Sequence, residues 1–333
     1  MLERDVCIGY SWMLVRLFSC ASWHIAGCAL LLNYRRLSTR PLIFRSFTGF
    51  EVPEFDSLYL KMEALYPKYE EKRLSRRDRK RKVGAGRPFK LPLKSRLLMF
   101  LVYYRLYISS TLAGFLFNLD QSNVLKNIRI LEPLVKECIP IPKKLYERAK
   151  RARTVEEVEE YFLGFKAFID ATEQEIPRPK DKGKRRSHYS GKRKRHTVKT
   201  QLTVNSKGLI IHKIPHARGR RHDYDVFKTS HPRVPPEVSC NFDLGYDGVE
   251  KDYPELNPTI PFKKRRGMGE LTMEQKSFNR ELARERVVVE HTISRMKKFK
   301  IMGEEFRNRL KWYDGATCIV SGLVNLRIMG TKM

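Results

Sequence analysis

The spacing of hydrophobic residues changes along the chain from a helical period to a strand period near residue 164. Between Pro53 and about Asp78, Phe55, Leu58, Leu60, Met62, Leu65 and Tyr69 recur at mixed three- and four-residue steps among charges, which predicts a helix. Leu93 to about Ile108 predicts a strongly apolar helix. Ser109 or Ser110 is placed to cap a second helix running through Phe117, Asn118-Leu119-Asp120 makes a short turn, and Gln121 to about Val135 forms a third helix. On that third helix Val124, Leu125, Ile128 and Leu131 form the side to be buried. Gln121, Ser122, Asn123, Lys126, Asn127 and Arg129 form a polar, donor-rich outer face. Helix, tight turn and helix of these lengths suit a helix-turn-helix or a small structural bundle. Pro140 and Pro142 end this unit, and Thr154 with Glu157 has capping-box spacing for a helix to about Tyr161.

Beyond Gly164 the apolar residues alternate. Gly164–Thr172, His196–Val204 and Leu209–Pro215 read as three strands, the last two joined by the turn Asn205-Ser206-Lys207-Gly208. A helix from His222 to about Thr229, a strand from Val238 to Asp243 and another from Thr259 to Lys263 follow. A helical region from about Thr272 to Lys298 and an amphipathic helix from Trp312 to Met329 close the chain. No internal repeat is evident.

Residues 1–33 do not match the rest. They hold three of the six cysteines, Trp12 and Trp23, and only four charged residues. The stretch from Val6 to Leu32 has the length of a membrane span but contains Arg16, His24 and small polar residues, and it lacks a clean cleavage site after a basic start. A membrane anchor, an extra helix and translated sequence upstream of the true start all compete; the last is favoured.

Charge narrows the partner. A formal net charge of +30 implies a polyanion, nucleic acid before an anionic membrane surface. The cations are clustered: Glu71–Lys90 carries ten Lys and Arg against two acids, and Arg178–Lys199 eleven against one. Such runs are usually solvated faces, but two of them flanking one candidate site favour phosphate binding. Gly86-Arg87-Pro88 suits an arginine laid into a narrow minor groove, or simply a hinge. The cysteines form no Cys-x-x-Cys pair and no disulfide spacing, which points to a reducing compartment and away from structural zinc. Neither a phosphate-binding Gly-x-x-x-x-Gly-Lys-Ser/Thr loop nor a Gly-x-Ser-x-Gly elbow is present.

The chemistry rests on acids. In Arg286-Val287-Val288-Val289-Glu290-His291-Thr292-Ile293-Ser294-Arg295-Met296-Lys297, Glu290 lies four residues after Arg286 and seven before Lys297, so the three share one helix face. A salt-bridged surface helix has the same spacing, but Val287, Val288, Val289 and Ile293 make the other side apolar and give Glu290 a packed base. Upstream, Asp170 ends the run Gly164-Phe165-Lys166-Ala167-Phe168-Ile169-Asp170, and Asp243 stands in Asn241-Phe242-Asp243-Leu244-Gly245-Tyr246-Asp247-Gly248. Three acids on rigid elements of a very basic protein suggest a metal site for phosphodiester chemistry. Asp247 competes with Asp243 but reads as a turn residue, Glu173 and Glu175 as members of a charged loop, and His222-Asp223 as the cap of the next helix or a support to the site.

In this order and context, Asp170, Asp243 and Arg-x-x-x-Glu-x-x-x-x-x-x-Lys resemble the DDE transposases of bacterial and archaeal insertion sequences, in the branch related to the eukaryotic Harbinger-type transposases. The resemblance runs from about Phe44 to the C-terminus. A sister group carries Tyr three residues before the Arg, where this chain has Ala283, which favours the Harbinger-like branch. The resemblance implies an α/β, RNase H-like catalytic domain at 151–333, with a mixed five-stranded sheet and flanking helices. It is preceded by an all-α helix-turn-helix DNA-binding domain at 93–150, a helical arm and basic linker at 34–92 and the atypical extension at 1–33. It further implies a transposase that binds terminal inverted repeats, cuts DNA at the element ends and joins the 3′-hydroxyls to a target. Asp170, Asp243 and Glu290 would be both catalytic residues and ligands to two Mg2+ ions, with Mn2+ able to substitute. Arg286, Lys297, Lys126, Asn127, Arg129, Arg87, Lys192, Arg193, Lys194 and Arg195 are the expected DNA contacts. A homodimer or larger assembly on DNA, cytoplasmic and nucleoid-associated, without a stable membrane partner, is expected. The alternative is a catalytically inactive transposase-derived DNA-binding protein.

Overall fold

The computed structural model describes residues 31–75, 82, 85–264 and 269–330. The expectations for residues 1–30 and for most of the basic linker lie outside these residues. Among the described residues no helix is long and apolar enough to cross a membrane.

The N-terminal half is helical: α1 (Tyr34–Ser38), α2 (Pro41–Thr48), α3 (Val52–Leu74), α4 (Leu93–Leu106), α5 (Ser110–Phe117), α6 (Gln121–Cys138), α7 (Pro142–Ala149) and α8 (Val155–Tyr161). The three helices expected from Leu93 onward are α4, α5 and α6. Ser109 caps α5 by accepting the Leu112 N–H at 3.1 Å. The turn into α6 is tight: a Cβ on Gly114 would collide with the Leu119 carbonyl, and Asn118 takes the left-handed conformation at φ 50°. Helix α7 was not anticipated. Pro142 starts it rather than breaking it, because at the first helical position a missing N–H costs no hydrogen bond.

The second half contains β1 (Lys166–Glu175), α9 (Lys182–His188), β2 (Tyr189–Ser190), β3 (Arg195–Asn205), β4 (Ile210–Lys213), β5 (Ala217–Arg218), α10 (Asp223–Thr229), β6 (Ser239–Asn241), α11 (Val249–Asp252), β7 (Pro258–Thr259), α12 (Met273–Lys297), α13 (Lys300–Gly303) and α14 (Tyr313–Gly330). One mixed sheet has the order β2-β3-β1-β6-β7, with β4 and β5 also pairing β3. β3 pairs antiparallel with both β1 and β4, while β1-β6 and β6-β7 are parallel. Four of the five expected strands are β1, β3, β4 and β6; of the fifth, expected over Thr259–Lys263, only Thr259 is paired, in the two-residue β7, and β2 and β5 are two-residue additions along β3.

Alternation along β1 assigns the two faces. Phe168 joins a large core with α4, α6, α12 and α14, whereas Ala167 and Ile169 join a second core with Phe227, Val238, Phe242 and Tyr246. A mixed sheet of three antiparallel strands extended by parallel ones, with helices on both faces, is an RNase H-like arrangement. The larger core runs without interruption from Leu37 to Val324, so the helical half is packed on the sheet half. Tyr107 and Arg307 clasp the two, the Tyr107 hydroxyl accepting the Arg307 N–H at 2.8 Å.

Candidate active site and DNA-binding helices

β6 pairs with β1 only from Lys166↔Ser239 to Phe168↔Asn241. Asp170 and Asp243 each lie two residues past that last pair, so the parallel register delivers both carboxylates to the same open edge of β1. β3 covers the opposite edge, with Asp170 facing Leu202. Asp243 is therefore just beyond its strand, not within it. An Asp170 carboxylate oxygen accepts the Ala171 N–H at 2.7 Å. Burial pushes the Asp170 carboxyl up to about 6; Asp243 and Asp223 add to the rise, against the Ala171 N–H and the Arg286 charge.

Helix α12 supplies the third side. A capping box of Thr272 and Gln275 starts it, and Leu282, Val289, Thr292 and Met296 form its buried stripe. Glu285 pins it to β1 through Lys166 at 2.5 Å. At the next residue, Arg286 Nη1 donates to Asp243 Oδ1 at 3.1 Å; the Arg286 side chain is 10% exposed and that of Asp243 53%. Arg286 Nε is buried with no hydrogen-bond partner among the described residues. Lys297, at the far end, has its ammonium pKa lowered first by burial and then by Arg193, with Asp170 and Glu173 opposing. At about 100° per residue, Glu290 is roughly 40° around the helix from Arg286 and roughly 20° from Lys297. It thus lies on the edge that meets the acids at both ends. Glu290 itself is exposed and makes no hydrogen bond or ion pair among the described residues. Accordingly, among those residues no three His, Cys, Asp or Glu side chains are gathered closely enough to hold a metal ion.

The expectations for three neighbouring acids need correction. Glu173 and Glu175 lie in β1, not in a loop, because the strand continues past Asp170 along β3. His222 occupies the N-cap of α10 but makes no capping hydrogen bond through its side chain. Its neighbour Asp223 instead binds Lys199 at 2.9 Å, and the same ammonium meets Glu173 at 3.2 Å. Lys199 is a residue that the sequence reading missed. The signal was available: a lysine within the apolar and neutral run Thr197–Asn205, once that run is buried, requires acids across from it. Asp247 remains a half-exposed turn residue, facing Lys263 at 3.5 Å.

Two stretches of the chain match models of known protein families. Residues 169–325 match a family model described as DDE superfamily endonuclease, and residues 89–141 match the helix-turn-helix of DDE superfamily endonuclease. A probable transposase for insertion sequence element IS702 from Microchaete diplosiphon is 33% identical over 255 residues, spanning 75% of this chain and 86% of that protein.

The chain belongs to the DDE superfamily of endonucleases.

No solved structure matches it. The endonuclease match encloses Asp170, Asp243 and Glu290, and the helix-turn-helix match encloses α4, α5 and α6. On α6 of this DDE endonuclease, Lys126 and Arg129 are exposed, as read from the sequence, and Arg129 lies over the Trp312 ring at 5.2 Å. Asn127 is a correction: it is 6% exposed. Its amide oxygen accepts from Arg96 Nε at 2.7 Å and its amide nitrogen donates to the Asn123 carbonyl at 2.8 Å. Lying three residues after Val124 and four before Leu131, Asn127 shares the buried stripe, and Arg96, inside α4, needs an acceptor there. Arg87 is exposed, while Phe89, two residues on, stacks on Arg96 at 3.6 Å. Lys192, Arg193, Lys194 and Arg195 are exposed where β2 turns into β3. Arg193 lines a cleft of about 230 Å³ together with Lys297, Glu173, Thr197 and Glu304.

Proposed function

We propose that this DDE endonuclease is a transposase acting at the ends of its own insertion sequence, with Asp170, Asp243 and Glu290 as its catalytic carboxylates. The carrying observation is the convergence of Asp170 and Asp243 at the open edge of β1, beside the helix edge that bears Arg286, Glu290 and Lys297. The donor set fits a hard divalent cation such as Mg2+, or Mn2+ in its place. Its ligands would be carboxylate oxygens, and Asp170 is held in a buried, acid-rich spot where its charge is costly without a cation. A pair of such ions, when bound, activates the attacking oxygen and stabilises the leaving one. Asp170, Asp243 and Glu290 would be the residues that hold them.

The protein's own groups do the remainder. Arg286 neutralises Asp243 in the free protein and is available to a DNA phosphate once Asp243 becomes a ligand. Lys297, held half-buried at the other end of the site, offers a second phosphate contact. At each element end a water oxygen attacks phosphorus and the bond to O3′ breaks, releasing a 3′-hydroxyl beside a 5′-phosphate. The 3′-hydroxyl oxygen then attacks a target phosphodiester at the same site, loses its proton and displaces the target's own 3′-oxygen. Helix α6, with Lys126 and Arg129 outward, is the reader of the terminal repeats, supported by the basic linker around Arg87. Two ends must meet for joining, which calls for a dimer or larger assembly on DNA.

The outward position of Glu290 favours one second reading, a DNA-binding descendant that has lost catalysis. A nicking assay on terminal-repeat DNA with Mg2+ or Mn2+ separates the two. Nicking by the native chain that disappears in Asp170→Asn, Asp243→Asn and Glu290→Gln supports catalysis, provided that all three still bind the DNA. Full activity in Glu290→Gln would refute the assignment.

A further inference from the structure

Resting on the reading above, we infer that the catalytic domain carries its own DNA-backbone platform, built from α9, the β2–β3 turn and the Arg218–Arg221 loop. It would hold the duplex whose phosphodiester enters the active site, independently of α6. These segments are separate in the sequence and are joined by the fold. The Gly219 N–H bonds the Thr197 carbonyl at 3.0 Å and the Arg220 N–H bonds the Ser187 carbonyl at 3.3 Å. This ties the 218–221 loop to both β3 and the end of α9. The junction admits only glycine, since a Cβ at Gly219 would collide with the Thr197 hydroxyl and carbonyl.

The cations gathered there are uncompensated. Lys184, Arg186, Arg193, Lys194, Arg218 and Arg220 are exposed, and their side chains form no ion pair or hydrogen bond among the described residues. Between Ile176 and His222 the only acid is Asp181, and it is occupied with capping α9. His196, the second residue of β3 and in their midst, has its pKa lowered by burial and then by Arg178, Arg185 and His188. Proteins seldom leave such a field unpaired, because the repulsion destabilises the fold unless a polyanion relieves it. The platform reaches the active site through Arg193, which shares the cleft with Lys297 and Glu173. Its one helix, α9, spans only seven residues and presents cations rather than base-reading amides, so the platform's contacts are to phosphates and carry no sequence information.

The test uses the full chain with a mixed-sequence DNA duplex in EDTA, so that binding is read without cleavage. Replacing Lys184, Arg186, Arg218 and Arg220 together by Ala should lower the slope of log K against log salt by about 3 to 4, at about 0.9 for each phosphate no longer neutralised. The preference for terminal-repeat over mixed DNA should stay unchanged. Arg218→Ala with Arg220→Ala alone, should the fourfold variant misfold, should lower the slope by about 2. Arg218→Lys with Arg220→Lys, which keeps the charge, should restore it. An unchanged slope in folded variants would overturn the platform even if the native chain cuts DNA. A reduced slope would uphold it even if no cleavage were seen, in which case the catalytic reading fails instead. Equal, charge-dependent binding to vesicles of phosphatidylglycerol and phosphatidylcholine, with no slope change on DNA, would also overturn it in favour of a membrane surface.

Discussion

Asp170→Asn should stabilise the metal-free protein while abolishing its chemistry. Burial, reinforced by Asp243 and Asp223, pushes the Asp170 carboxyl from 3.8 to about 6. A difference of about two pH units, at about 1.4 kcal/mol per unit, costs the folded state roughly 3 kcal/mol once the group is ionised. Because the folded state holds the proton more tightly than the unfolded chain, the cost is absent below about pH 4. It grows as pH rises between these values and is complete above about pH 6. Asparagine keeps the acceptor for the Ala171 N–H and cannot ionise, so it escapes the cost. In EDTA buffers, calorimetry or urea unfolding should show native and variant proteins equally stable near pH 4. At pH 8 the variant should be more stable by about 2 to 3 kcal/mol, or about 3 to 4 °C in Tm for a chain of this size. A gap that does not change with pH, or a variant less stable than the native chain at pH 8, would refute the placement of Asp170 in a buried, acid-rich site.

Mg2+ should raise the Tm of the native protein at pH 8 and leave that of Asp170→Asn unmoved in the same titration; an equal rise in both would place the cation elsewhere. Lys199→Met should destabilise the fold by about 3 kcal/mol in chemical denaturation at pH 7, because Glu173 and Asp223 lose their shared cation. Asn127→Ala should cost roughly 1 to 3 kcal/mol of stability by stranding the buried Arg96 Nε, with the effect visible in urea unfolding without DNA. Asp314 is lifted by burial, but His216 and Lys213 outweigh this and hold its carboxyl well below the usual range. Asp314→Asn should therefore lower the Tm at neutral pH, and the deficit should shrink as pH falls below the ordinary carboxylate range, where the native group gains its proton and loses the same contribution.

Much of this protein was legible in its sequence. Periodicity alone located α3 to α6, four of the five expected strands and α12, because each element must turn an apolar stripe or face toward a core and so repeats its own geometry. The Arg286, Glu290, Lys297 spacing placed three side chains on one helix edge for the same reason, and the excess of cations announced a polyanionic partner. The tertiary structure decided what depended on contacts between distant segments. The parallel register of β6 on β1 set Asp243 against Asp170, across 73 residues of sequence that carry no mark of the pairing. Lys199 became the link between Glu173 and Asp223 only once β1, β3 and α10 were packed together. Asn127 read as a surface donor by residue type, yet it is buried because Arg96 inside α4 demands an acceptor at that point. Local spacing determines which way a side chain points from its own element, but burial and charge pairing are properties of neighbours that only the folded chain supplies.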